Sequence, residues 1–130
     1  MFRLVKVLNA NNQYDVAKLK FNSSAVIGRG CALTCTNGLA NSPTSTVTPE
    51  YISLSPNDDP ACKTVDAIII TAEMIFKVEY TGTVAPYIGM NVGISTHKSK
   101  MDAVTYNSSG KGTIVGVEDN GKYVYVRFRK

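Results

Sequence analysis

The C-terminal stretch 112-GTIVGVEDNGKYVYVRFR-129 decides the fold, because it has the pattern of two strands joined by a tight turn. Asn120-Gly121 supplies the positive φ angles that a type I′ hairpin turn requires at little steric cost. Along the second strand, apolar side chains alternate with aromatic and cationic ones: Val124, Val126 and Phe128 against Tyr123, Tyr125, Arg127 and Arg129. A period of two places the first set on a buried face and the second on the opposite face, available to a partner.

Strand patterns continue upstream of this hairpin. The apolar centre of the chain, residues 65–80, is rich in β-branched side chains and predicts two strands hinged near Thr71-Ala72-Glu73. Residues 14–21 leave strand and helical turn open as alternatives. Shorter strands are predicted at residues 2–8, 26–36 (broken by Gly28 and Gly30), 51–54, 91–95 and 103–106.

Polar segments separate these strands. Residues 9–12 and Asn37-Gly38 predict turns, and residues 39–49 and 56–63 predict exposed loops. Many short strands with turn signals about every ten residues are typical of a sandwich or barrel. The chain is therefore predicted to be all-β, a small β-barrel or β-sandwich with an N-terminal arm and a C-terminal β-hairpin, in a single domain of residues 1–130. Residues 1–12 form either that arm, added to a partner's sheet, or an edge strand of the chain's own sheet.

The composition favours a surface that other subunits partly cover. Charged residues make up 18% of the chain, below the roughly 25% typical of soluble domains, and Ser, Thr, Asn and Gly take their place. The net charge of +4 is scattered, with its densest group at Arg127, Arg129 and Lys130. Because a dedicated nucleic-acid binder gathers its cations on one face, nucleic acid is not expected as the main partner.

No membrane segment or metal site is expected. The longest apolar run, residues 67–71, is far too short to span a bilayer, and no secretory signal is recognised, so the chain is expected to be soluble in a reducing cytoplasm. Cys31, Cys35, Cys62 and His97 could supply four zinc ligands on paper. If residues 31–35 are extended, however, the first two sulfurs lie roughly 13 Å apart, whereas each zinc–sulfur bond is about 2.3 Å. Small buried cysteines are the preferred interpretation.

None of the catalytic sequence patterns considered is complete in this chain. The stretch 108-SSGKGT-113 resembles a phosphate loop, but a glycine follows Lys111 where a P-loop has Ser or Thr. No serine lies in a nucleophile-elbow pattern. The acidic pairs Asp58-Asp59 and Glu118-Asp119 lie in predicted turns, where such residues are ordinary. We therefore expect a protein that binds or assembles, without enzymatic activity or cofactor.

Several segments together resemble the capsid decoration (cement) proteins of tailed phages. The first is 26-VIGRGCAL-33, followed by Asn37-Gly38-Leu39. The later ones are 88-IGMNVGI-94, residues 110–117 and residues 124–128, which are similar to that family's closing pattern of a Gly-led strand, a loop, an apolar strand and a final hairpin strand. The composition, rich in Asn and Ser, also resembles auxiliary capsid proteins of crAss-like phages.

The resemblance implies a β body on the outer capsid surface, bound to the major capsid protein, self-associated into a homo-oligomer and assembled in the cytoplasm of the host bacterium. Two alternatives remain: a small barrel of OB or SH3-like type that binds nucleic acid, and a head–tail connector or tail component. The residues expected to contact a partner are Phe2, Leu4, Tyr123, Tyr125, Arg127 and Arg129.

Overall fold

The computed structural model describes residues 1–9, 11–97 and 100–129. Lys130 and the side chain of His97, both considered above, lie outside what it describes. Within these residues the chain forms eleven strands, and the last two are joined by a short turn, Asp119–Gly121, with positive φ at all three residues. The strands are β1 (Arg3–Val7), β2 (Val16–Leu19), β3 (Ala32–Thr36), β4 (Leu39–Asn41), β5 (Tyr51–Ser53), β6 (Val65–Ile69), β7 (Met74–Tyr80), β8 (Asn91–His97), β9 (Lys100–Tyr106), β10 (Gly112–Glu118) and β11 (Tyr123–Phe128).

Five of these strands close into a small barrel in the order β7-β11-β10-β8-β9. Neighbouring strands are antiparallel except β7 and β9, which pair in parallel through Glu79↔Ala103 and Tyr80↔Val104. A closed ring with an odd number of strands requires such a parallel pair, because directions cannot alternate all the way round. The all-β prediction is confirmed, and of its two forms the barrel is present.

Alternation along the barrel strands fills the interior. In β7 the buried positions are Met74, Phe76, Val78 and Tyr80, each separated by a half-buried residue. In β11 the predicted inward set, Val124, Val126 and Phe128, is buried. The rings of Phe2, Phe76 and Phe128 lie with centroids 5.8–6.3 Å apart, a spacing typical of favourable aromatic contacts.

The second sheet packs on this barrel in the order β2-β6-β5-β3-β4. Its two edges meet at a parallel bridge between Phe21 and Ala40, so the sheet curls around a small cluster of its own. From its other side, Ala32, Ile52 and Ile68 join the same buried cluster as the barrel residues. One continuous core therefore links the two sheets.

Two local predictions are confirmed. The apolar centre divides at Thr71-Ala72-Glu73, where β6 of the second sheet gives way to β7 of the barrel. At the C-terminal hairpin, the Lys122 N–H donates to the Asp119 carbonyl at 3.1 Å. The two central residues have the positive φ of a type I′ turn, 57° at Asn120 and 91° at Gly121. The undecided segment 14–21 contains strand β2.

The prediction of an exposed loop over residues 39–49 is confirmed for residues 44–47, which are exposed and lie outside the strands, and is wrong in two respects. Residues 39–41 form β4, because the Asn37-Gly38 turn returns the chain antiparallel to β3. Pro43 and Pro49 are buried, and the backbone between them comes close to the barrel, since a Cβ placed on Gly93 of β8 would lie 2.2 Å from the Ser45 carbonyl oxygen. Residues 26–31, predicted to begin a strand, precede β3 without regular structure. Among the described residues, no helix has the length and apolarity to cross a membrane.

Candidate interaction surfaces

The N-terminal residues predicted to reach a partner lie within the chain's own fold. Residues 3–7 form β1, which pairs antiparallel with β7, so the structure has the edge strand and not the free arm. Phe2 is buried between the rings of Phe76 and Phe128, and its N–H donates to the Gly30 carbonyl at 2.8 Å. Leu4 packs against the same core. The ring of Phe2 completes the aromatic cluster, and the residue is 3% exposed, which leaves little of it for a partner to contact.

The outer face of β11 carries the predicted aromatic and cationic side chains, and its centre is bonded internally. The Tyr125 hydroxyl donates to a Glu118 carboxylate oxygen, and Lys77 Nζ donates to the other at 3.0 Å. The ammonium of Lys77 also lies 5.1 Å from the centroid of the Tyr123 ring. Tyr123 and Tyr125 therefore already take part in contacts within the chain, whether or not they also contact a partner.

The network shifts the ionisation of its members. The hydrogen bond from Tyr125, followed by that from Lys77, lowers the pKa of Glu118. The hydrogen bond to Glu118 raises the pKa of Lys77 and that of Tyr125. Each shift favours the ionic state in which the carboxylate accepts both hydrogen bonds. Lys77 is thus neutralised by Glu118 and adds little net charge to this face.

The two arginines of this face bind backbone carbonyls. Arg127 donates from Nε and Nη2 to the Ala72 carbonyl at 3.0 and 2.7 Å, which fastens the barrel to the hinge between the sheets. Arg129 donates from Nη2 to the Gly110 carbonyl at 2.7 Å. A neutral carbonyl orients a guanidinium without cancelling its charge, so both arginines still contribute positive potential.

Two β-bulges reshape the same face. One occurs in β1 between Leu4 and Lys6, and the other in β10 between Ile114 and Gly116. Each inserts a valine, Val5 and Val115, which are 45% and 37% exposed. The sequence prediction missed both valines; the glycine after Val115 is the only local signal, since glycine within a strand often marks a bulge.

A second surface lies on the connection between β7 and β8. Residues 81–90 contain no charged side chain, and Val84, Tyr87 and Ile88 are 49%, 56% and 71% exposed. The sequence analysis did not single out this connection as a surface. Its signal was the absence of charge over ten residues.

This connection is braced against the barrel. The Tyr80 hydroxyl donates to the Val84 carbonyl at 2.6 Å, and the Gly89 N–H donates to the Ile114 carbonyl at 2.8 Å. Inside the connection, the Met90 N–H donates to the Tyr87 carbonyl at 3.1 Å. The apolar side chains are therefore held outward by a fixed backbone.

The cysteines are free thiols in this structure. Cys31 is buried, and that burial raises the pKa of its thiol; Cys35 and Cys62 are half-buried. In the part of the chain that the structure describes, no three His, Cys, Asp or Glu side chains are grouped as metal ligands would be. Comparison of the chain with models of known families, with curated proteins and with solved structures finds no match.

Proposed function

We propose that this chain is a virion structural protein that binds the outer surface of the major capsid protein shell and stabilises the head of a tailed phage. The observation that carries the proposal is the braced, uncharged connection 81–90, which holds Val84, Tyr87 and Ile88 in solvent. It is joined by the sequence resemblance to capsid decoration proteins.

An exposed apolar side chain by itself is unremarkable, since much of any protein surface is apolar. Three large ones within five residues, on a backbone with fixed hydrogen bonds, are the composition of an interface core: aromatic, aliphatic and depleted in charge. The rigid backbone also lowers the entropic cost of ordering the loop on binding. The connection is thus suited to packing against another protein.

A capsid shell suits such a surface because it presents many copies of one site. A homo-oligomer of this chain would engage several of them at once, and multivalency would strengthen modest single contacts by orders of magnitude. The closed barrel keeps the contact residues in a constant geometry. The low charge content is compatible with a surface that neighbours partly cover.

The nucleic-acid alternative has less support from the β11 face. A platform for single-stranded nucleic acid needs accessible aromatic faces in a positive groove. Here Glu118 lies opposite Tyr123 at the hairpin end of the face, and Lys77 and Tyr125 are bonded to it. A head–tail connector or tail component would use the same apolar connection, and electron microscopy of labelled particles distinguishes those positions from the capsid surface.

The direct test is co-sedimentation with shells of the major capsid protein assembled without this chain. We expect the wild-type chain to sediment with the shells and Ile88→Asp to bind at least about tenfold more weakly, because burying an isoleucine side chain contributes about 1.5–3 kcal/mol. The matched control is Val26→Asp, at a valine that is 64% exposed outside the connection; it should bind like the wild type. A wild-type chain that stays in the supernatant, or unchanged binding by Ile88→Asp, contradicts the proposal.

A further inference from the structure

The two bulged valines border one shallow hollow on the outside of the barrel. It is lined by Val5, Lys6, Ile75, Val115, Gly116 and Tyr125. A Cβ on Gly116 would lie 3.0 Å from Tyr125 Cδ2, so the glycine permits the ring to lie flat across β10. Bulges commonly re-aim side chains at functional surfaces. Here the two bulges expose aliphatic side chains on β1 and β10, which flank β7 and β11 in the sheet.

A second hollow continues the first. Val115 lines both, and beyond it lie Thr113, Arg127 and Arg129. The register of β10 with β11 places Thr113 opposite Arg127. The outside of the barrel thus carries an apolar groove that runs from Val5 towards the two arginines.

The charged side chains that line the two hollows are all cationic. Lys6 lies at one end, and Arg127 and Arg129 lie at the other. Among the described residues, the ion pairs of the structure include none of these three cations. The carboxylate of Glu118, on the same face, is engaged by Lys77 and Tyr125, so it does not offset them.

We propose that this groove binds an acidic, apolar peptide segment of another protein. Aliphatic or aromatic side chains of the segment would cover Val5, Ile75 and Val115, and its carboxylates would meet Lys6 and Arg129. Complementary charges at the rim would speed association and exclude basic segments. This inference is independent of the proposed capsid function, because it rests on the groove and not on the connection 81–90.

A peptide fits the groove better than a nucleic acid does. The aliphatic floor offers no extended aromatic platform for stacked bases, and the most central tyrosine, Tyr125, has its hydroxyl bonded to a carboxylate. An acidic peptide places charge only at the two ends, where the cations lie.

The test is a selection of displayed random peptides of about twelve residues on the immobilised protein, followed by affinity measurements with the most enriched peptide in synthetic form. We expect enriched peptides to combine Asp or Glu with large apolar residues. Their affinity should fall when NaCl is raised from about 50 to about 500 mM, because salt screens exposed charges. Val115→Asp and Lys6→Glu should each weaken binding about tenfold or more.

Two controls locate the site. Val26→Asp and Lys63→Glu introduce the same changes at exposed positions outside the groove, and they should leave the affinity within about twofold. Should Val115→Asp fail to fold, Val5→Ser tests the same hollow. Selection of neutral or basic peptides, or of none, overturns the proposal, as does an affinity that neither groove variant changes. Tighter binding of an oligothymidine than of every selected peptide would overturn it in favour of nucleic acid.

Discussion

At the scale of single residues, Glu118 couples the electrostatics of the outer face to pH. The hydrogen bonds from Tyr125 and Lys77 hold the pKa of this carboxyl below its ordinary value of 4.5. A lowered pKa in the folded state means that the carboxylate stabilises the fold fully above the ordinary value. That contribution is lost as pH falls through the lower, folded-state pKa.

We therefore predict that the stability of Glu118→Gln to unfolding depends less on pH in the acidic range than that of the wild type. Urea unfolding of the wild type from about pH 7 downward should show a midpoint that falls below pH 4.5 more steeply than that of Glu118→Gln. Tyr125→Phe, which removes the hydrogen bond that lowers the pKa most, should give an intermediate slope. Equal slopes for the wild type and Glu118→Gln would show that the network does not bind the carboxylate in solution.

At the scale of elements, Gly93 of β8 allows the segment 42–49 to approach the barrel closely. A Cβ there would lie 2.2 Å from the Ser45 carbonyl oxygen, well inside van der Waals contact, and backbone cannot yield as a side chain can. The same segment is tied at its far end, where the Thr48 hydroxyl donates to the Arg129 carbonyl at 3.1 Å. The predicted loop is thus part of the folded body.

We predict that Gly93→Ala releases this segment. Amide hydrogens at residues 44–48 should exchange faster, and a protease of broad specificity should cleave there more readily. The free energy of unfolding should fall by about 1–3 kcal/mol, as for other overpacked sites. The matched control is Gly28→Ala, whose added methyl would meet the side chain of Lys100 at 2.7 Å. Because that side chain can swing away, the control should lose far less stability and leave residues 44–48 protected.

Sequence patterns predict elements better than they predict contacts between them. The hairpin around Asn120-Gly121 and the hinge at 71–73 follow from local rules of turn chemistry and β-branched content. The bulge at Val5 has no local signal, because it is a feature of the pairing of β1 with β7. Alternation along residues 2–8 predicts that Phe2 points inward, but it does not reveal that the ring packs against those of residues 76 and 128.

At the scale of the whole molecule, the two sheets share one core although their hydrogen-bonded ladders are separate. Ile52 of β5 and Ile68 of β6 belong to the same buried cluster as Phe76 and Val126 of the barrel. The covalent hinge at 71–73 is reinforced by the double hydrogen bond from Arg127 to Ala72. Apolar contacts distributed across an interface in this way couple the stabilities of the parts they join.

We therefore predict that the chain unfolds as one cooperative unit. Ile52→Ala, which leaves a cavity on the second-sheet side of the core, should lower the free energy of unfolding by about 2–5 kcal/mol. Native-state hydrogen exchange should report the same loss of protection free energy at the most protected amides of β6 and of β7. Of these two strands, β6 pairs with β5 and β7 does not. The control Val16→Ala, on the outside of β2, should change both by less than about 0.5 kcal/mol. If Ile52→Ala weakened protection in β6 and left that of β7 intact, the barrel would be an independent folding unit and the shared core would not couple the two sheets.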